Sequence, residues 1–152
     1  MPVTHIVLHH NGVPGRTVDD IRRTHRAKGW SDTGYHFVVY ADGSVHPGRP
    51  LLRKSGKLNP GAHVAGLNAT TVGVCLIGNG NAQPFGADQL QGTRALVATL
   101  MLQFGVPAER VIGHRETRAL VPPELATRKD CPGKLFDLDA FRASLREPMA
   151  VA

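Results

Sequence analysis

Two short runs of consecutive apolar residues and one long stripe at helical spacing dominate the hydrophobic pattern of this chain. The first run, Ile6-Val7-Leu8 within Thr4–His10, predicts a strand buried on both faces, because a half-solvated strand would alternate with polar residues. Its side chains fall into two sets, His5, Val7 and His9 on one side and Ile6, Leu8 and His10 on the other. Thr17 is a suitable N-cap for a helix whose first turn carries Asp19 and Asp20. Val18, Ile21 and His25 would share the inner face of that helix, Lys28-Gly29 closes it, and Trp30 is expected to plug the core beyond its end. Gly34–Tyr40 reads as a strand, and Asp42-Gly43 predicts a type I′ hairpin turn into Ser44-Val45-His46. Residues 47–62, rich in Gly, Pro, Lys and Arg, form a loop leading to His63. The second apolar run, Thr71–Ile77, predicts a central strand, broken by Gly78-Asn79-Gly80-Asn81. The stripe Leu90, Leu96, Val97, Leu100 and Met101 predicts a core-facing helix over Ala87–Phe104. Arg110–Gly113 would be a short strand delivering His114, followed by a loop over Arg118–Lys129. Asp137 would cap a last helix through Phe141 and Leu145. The expected architecture is α/β: a single domain over residues 1–152, with a central mixed β-sheet flanked by about three helices.

Composition narrows this picture little. The 152 residues are 41% hydrophobic and 20% charged, as in an ordinary globule. The net charge of +6 favours anionic partners such as nucleic acid, a membrane surface or an anionic wall polymer. Aromatic residues make up only 5% and do not interleave with basic runs, so a nucleic-acid partner is not expected. No apolar run is long enough to span a bilayer, and Met1-Pro2-Val3-Thr4-His5 lacks the pattern of a secretory signal. Synthesis in a cytoplasm, without a membrane partner, is the expectation. Two irregularly spaced cysteines make no disulfide framework, and Cys75 is expected to be a buried thiol.

The chemistry concentrates in three places. Arg128-Lys129-Asp130-Cys131-Pro132-Gly133 sets a thiol beside an ammonium group and a tight turn. Gly113-His114-Arg115-Glu116 and Val7-Leu8-His9-His10 supply imidazoles. Two imidazoles and a thiolate make a tripod that leaves the fourth corner of a tetrahedral Zn²⁺ open. Periodicity alone leaves open which of His9 and His10 faces such a site.

Taken in order, the blocks Leu8-His9-His10, Gly29-Trp30, Asp32-Thr33-Gly34-Tyr35-His36-Phe37, Gly61-Ala62-His63, Val72–Gly78, Gly113-His114-Arg115-Glu116 and Lys129-Asp130-Cys131-Pro132 resemble the zinc-dependent N-acetylmuramoyl-L-alanine amidases. That family includes short phage endolysins and the animal peptidoglycan recognition proteins. The resemblance implies zinc ligands at His9, His114 and Cys131 and catalytic roles for Tyr35 and Lys129, with His36 and His63 at the substrate wall. It also implies one Zn²⁺ per chain, a peptidoglycan substrate and a monomer that reaches the wall only after release through the membrane. Cys75 stands where cytoplasmic muropeptide-recycling members carry a Glu, which places the chain nearer the endolysins. The presence of Cys131 argues against a binding module without hydrolytic activity.

Overall fold

The apolar runs become the two innermost strands of a five-stranded mixed sheet. In the computed structural model, which describes residues 2–148, the strands are β1 (His5–His10), β2 (Phe37–Val39), β3 (Val45–Pro47), β4 (Thr71–Leu76) and β5 (Val111–Gly113). Their order is β3-β2-β4-β1-β5, with β1 parallel to both β4 and β5, β2 parallel to β4, and β2–β3 an antiparallel hairpin. Every residue of β4 is buried, as continuous hydrophobicity demands of a strand covered on both faces. Three α-helices flank the sheet: α1 (Val18–Ala27), α2 (Ala87–Phe104) and α3 (Leu138–Leu145). None of the described helices is long and apolar enough to cross a membrane.

The β1 alternation decides which layer each residue meets. Ile6 and Leu8, with Val72, Val74 and Leu76 of β4, pack under Val97 and Leu100 of α2 and Leu138 and Phe141 of α3. On the opposite face, Cys75 and Val38 pack with Ile21 of α1. His9 pairs in register with Cys75 and so belongs to this second face. The helix ends follow the expected caps. Thr17 and Asp20 form a reciprocal capping box on α1, and Asp137 Oδ1 accepts from Ala140 N–H at 2.9 Å on α3.

Three expectations are corrected. The hairpin turn at Asp42-Gly43 is not type I′, which needs two successive residues with positive φ. Only Gly43 (φ 86°) is left-handed, and Tyr40 N–H pairs with Ser44 O across a three-residue loop. Gly43 is required twice over, because a Cβ there would also overlap the backbone carbonyl of Asp88 in α2. Trp30 does not plug the core: it is 37% exposed, beyond the end of α1. The Arg118–Lys129 segment is not all loop, since Arg118 and Ala119 end a 3₁₀ turn that begins at His114, and Pro123–Leu125 wind into another.

Candidate metal centre

The site forms where the carboxyl ends of β1 and β5 meet the loop that carries Cys131. β1 brings His9 to its end, and Gly113 of β5 hands over to His114. Cys131 comes from a loop held by Arg115. The Arg115 amide donates to Cys131 O at 2.8 Å. Its guanidinium donates to the carbonyls of Asp130 (3.2 Å), Gly133 (2.6 Å) and Phe136 (2.8 Å). Glu116 accepts from Gly113 N–H at 2.9 Å and from both terminal nitrogens of Arg142, at 2.7 and 3.0 Å. Both residues of the Gly-His-Arg-Glu block that follow His114 therefore brace the backbone around it.

His9, His114 and Cys131 each offer a ligand atom, and these atoms lie within 4.8 Å of one another. His9 Nδ1 and Cys131 Sγ are 3.7 Å apart. Zinc bonds of about 2.1 and 2.3 Å at a tetrahedral angle would set them roughly 3.6 Å apart, so the pair fits such an ion. The donor set, two imidazoles and a thiol, also suits zinc. His10, the alternative in β1, has other duties: its Nδ1 accepts from Gly80 N–H at 2.9 Å, and its own amide points at Cys131 Sγ at 3.3 Å.

Behind His9 stands His63. His9 Nε2 and His63 Nδ1 are 2.9 Å apart, and His63 Nε2 lies 3.3 Å from Thr71 O and 3.2 Å from Thr71 Oγ1. A proton on His63 Nε2, donated to Thr71 O, leaves His63 Nδ1 as acceptor. His9 then carries its proton on Nε2 and turns the Nδ1 lone pair toward Cys131 Sγ. Gly73 makes this arrangement possible, because a Cβ there would sit 2.8 Å from the His63 ring. His36 is fully used elsewhere. It is buried, its Nδ1 accepts from Gly73 N–H at 3.0 Å, and its Nε2 meets Asn59 O at 2.6 Å. It supports β4 and His63 from behind instead of lining the cleft.

Burial keeps the site imidazoles uncharged. Burial holds the His9 imidazole well below its ordinary pKa, that of His63 at about 3 and that of His114 at about 4, the last helped by the nearby Lys129 and Arg118 charges. The rings are neutral at pH 7, as metal ligands must be. Burial pushes the Cys131 thiol to about 11 against the opposing pull of the His10 amide, Lys129 and Arg115. Tyr35 lies 5.0 Å from the His9 ring, centroid to centroid, and packs against Cys75. Burial, with the two cysteines nearby, raises its phenol well above 10, so it stays protonated through neutral pH.

Tyr35, His63, His114, Lys129 and Cys131 open on a cleft of about 750 Å³. Its far wall, which sequence reasoning missed, is the polar side of α1 with Arg16, Arg23, His25 and Lys28, and beyond them Trp30. His25 Nδ1 accepts from Gly34 N–H at 2.8 Å, and its ring meets Trp30 edge-on at 4.7 Å. A charged helix face looks the same in sequence whether it meets bulk water or a groove. No periodic signal could have separated them.

Comparison with known proteins agrees with this geometry. A family profile described as N-acetylmuramoyl-L-alanine amidase matches residues 1–134. The endolysin of Klebsiella phage KP32 is 40% identical over 92 residues, 57% of this chain and 57% of that protein. The human N-acetylmuramoyl-L-alanine amidase is 32% identical over 152 residues, covering 91% of this chain and 24% of that one. The chain thus spans little more than half the length of the phage relative. Among solved structures, the N-acetylmuramoyl-L-alanine amidase LysC from Clostridium intestinale superposes with a TM-score of 0.81 at 28% identity, covering 95% of this chain and 86% of that one. Drosophila PGRP-LB does so at 0.70 and 27%, covering 89% and 78%. From the profile match and the shared fold it follows that this chain belongs to the N-acetylmuramoyl-L-alanine amidase family.

Proposed function

We propose that residues 1–152 act as one catalytic domain that hydrolyses the amide between the lactyl group of N-acetylmuramic acid and L-alanine in peptidoglycan, in the manner of a phage endolysin. The observation that carries this reading is the convergence of His9, His114 and Cys131 at the floor of a cleft whose walls present Tyr35 and Lys129. The three ligand residues would hold one zinc ion. An ion so held supplies a Lewis acid and lowers the pKa of a water from 15.7 toward about 7.

The chain's own groups do the rest. As the carbonyl carbon of the amide becomes tetrahedral, negative charge gathers on its oxygen. The Lys129 ammonium, from the cleft wall, would stabilise that charge, and loss of one such donor costs on the order of 10²–10³ in rate. Tyr35 is held protonated in the metal-free protein, so its O–H can donate to the reacting oxygens. His63 fixes the His9 tautomer from behind. His36 supports this arrangement through β4, and neither histidine needs to touch substrate. The enzyme would work as a monomer and reach the wall from the host cytoplasm once the membrane is breached.

Mass spectrometry of digested peptidoglycan tests the reading. Stem peptides beginning with a free L-alanine amine are the expected products. New reducing sugar ends without free alanine amines would overturn it and make the enzyme a glycosidase.

A further inference from the structure

Lys129 is exposed, so packing gives it no fixed position. Its place must come from the backbone that carries it, within the long connection between His114 and Cys131. Arg118 crosses that connection. Its Nε donates to Thr127 O at 2.8 Å, and a terminal nitrogen donates to Lys129 O at 2.7 Å. The same nitrogen lies 3.7 Å from Asp130 Oδ1. Lys129 N–H in turn donates to Thr127 Oγ1 at 3.2 Å, closing a small turn inside the brace.

The other end of the brace is firm. Arg118 stands on the 3₁₀ turn that begins at His114, and the buried Thr117 ties that turn to His114 O through a 2.6 Å hydrogen bond. One guanidinium therefore links the segment of a metal ligand to the two carbonyls that flank residue 128. We infer that Arg118 is a positioning residue for Lys129, fixing the backbone from which the ammonium reaches over the cleft. This rests on the role given to Lys129 above.

The guanidinium meets the two carbonyls from two separate nitrogens held in one plane, a geometry that the single nitrogen of a lysine does not reproduce. The Arg118 charge also bears on His114, whose pKa it helps to lower. Arg118→Lys keeps that charge and removes only the fork, so it separates the two effects. A displacement of about 1 Å at a reacting group can cost ~10²-fold in rate.

Steady-state turnover of soluble peptidoglycan fragments, with zinc content measured on the same samples, provides the test. Arg118→Ala and Arg118→Lys should each lower kcat by roughly ten- to a hundredfold, with KM unchanged and one zinc per chain retained. In a Lys129→Ala background, Arg118→Ala should cost nothing more, because the group it positions is gone. Wild-type turnover in Arg118→Lys, loss of zinc, or an equal loss in the Lys129→Ala background would each overturn the inference. Should Arg118→Ala prove insoluble, Arg118→Lys carries the same comparison. Full activity of Lys129→Ala alone would refute the role of Lys129 and remove the ground for a brace.

Discussion

His63→Ala isolates the contact on which the His9 tautomer depends. The ring it removes is the partner of His9 Nε2, at 2.9 Å, in a place where His9 is only 2% exposed. With Nδ1 committed to a metal, His9 would keep a buried N–H without an acceptor, a penalty of about 1–3 kcal/mol. In the metal-free protein His9 escapes that penalty by moving its proton to Nδ1, so the cost falls on metal binding. At about 1.4 kcal/mol per factor of ten this weakens zinc binding some 5- to 150-fold, in line with the ~10–100-fold typical when the partner of a ligand histidine is lost. Competition against a chromogenic zinc chelator at neutral pH measures it directly. Val64→Ala, a truncation of a buried apolar neighbour, controls for packing and should leave zinc affinity unchanged. Unchanged affinity in His63→Ala would refute the proposed tautomer chain.

Other consequences are as direct. The site histidines are already neutral at pH 7 and Cys131, at about 11, is still a thiol with a proton to lose, so below the pKa of about 7 expected for a bound water zinc binding should release one proton and affinity should rise tenfold per pH unit from about pH 5 upward. Calorimetry near pH 6 in buffers of different ionisation heat counts that proton, and a count of zero or two at that pH would contradict the assignment. The folded pKa values of His63 and His114 lie below the ordinary 6.5, so the stability of the metal-free protein should be complete above that pH and fall as pH drops toward about 4 and then 3, as an acid titration of unfolding would show. Tyr35→Phe keeps the ring beside His9 and removes the donor; zinc should stay and kcat should fall on the order of 10²–10³. Unaltered turnover would exclude Tyr35 from the chemistry. Gly92→Ala places a methyl group into the backbone of Gly43, where neither α2 nor the hairpin can yield, and should destabilise by about 1–3 kcal/mol in denaturant unfolding. A wild-type unfolding midpoint would show that the hairpin is free to shift.

The elements written in continuous or periodic hydrophobicity were legible in the sequence. β4 and α2 stand where Thr71–Ile77 and Ala87–Phe104 put them, because burial on two faces or along one stripe leaves a direct mark. Gln89 shows the limit. It is 3% exposed on the inner face of α2, and its amide donates to Val39 O at 3.0 Å and Ile77 O at 2.9 Å. A polar residue buried to satisfy carbonyls at the ends of two strands looks like a surface residue until those ends are known. Trp30 fails in the opposite sense, as an apolar residue spent on a cleft wall. For the site, residue types and local turns pointed to His114, Cys131 and the His9-His10 pair, and only the family resemblance chose His9 over His10. The roles of His63, Arg115 and Arg118 depend on contacts with loops and strands that only the fold brings near.

X-ray absorption at the zinc edge, with metal analysis of the same sample, addresses the central claim most directly. The account expects one zinc per chain, coordinated by two imidazole nitrogens and one sulfur together with a lighter fourth donor, and expects Cys131→Ala to lose the ion. A zinc shell without sulfur, or full zinc occupancy in Cys131→Ala, would contradict it.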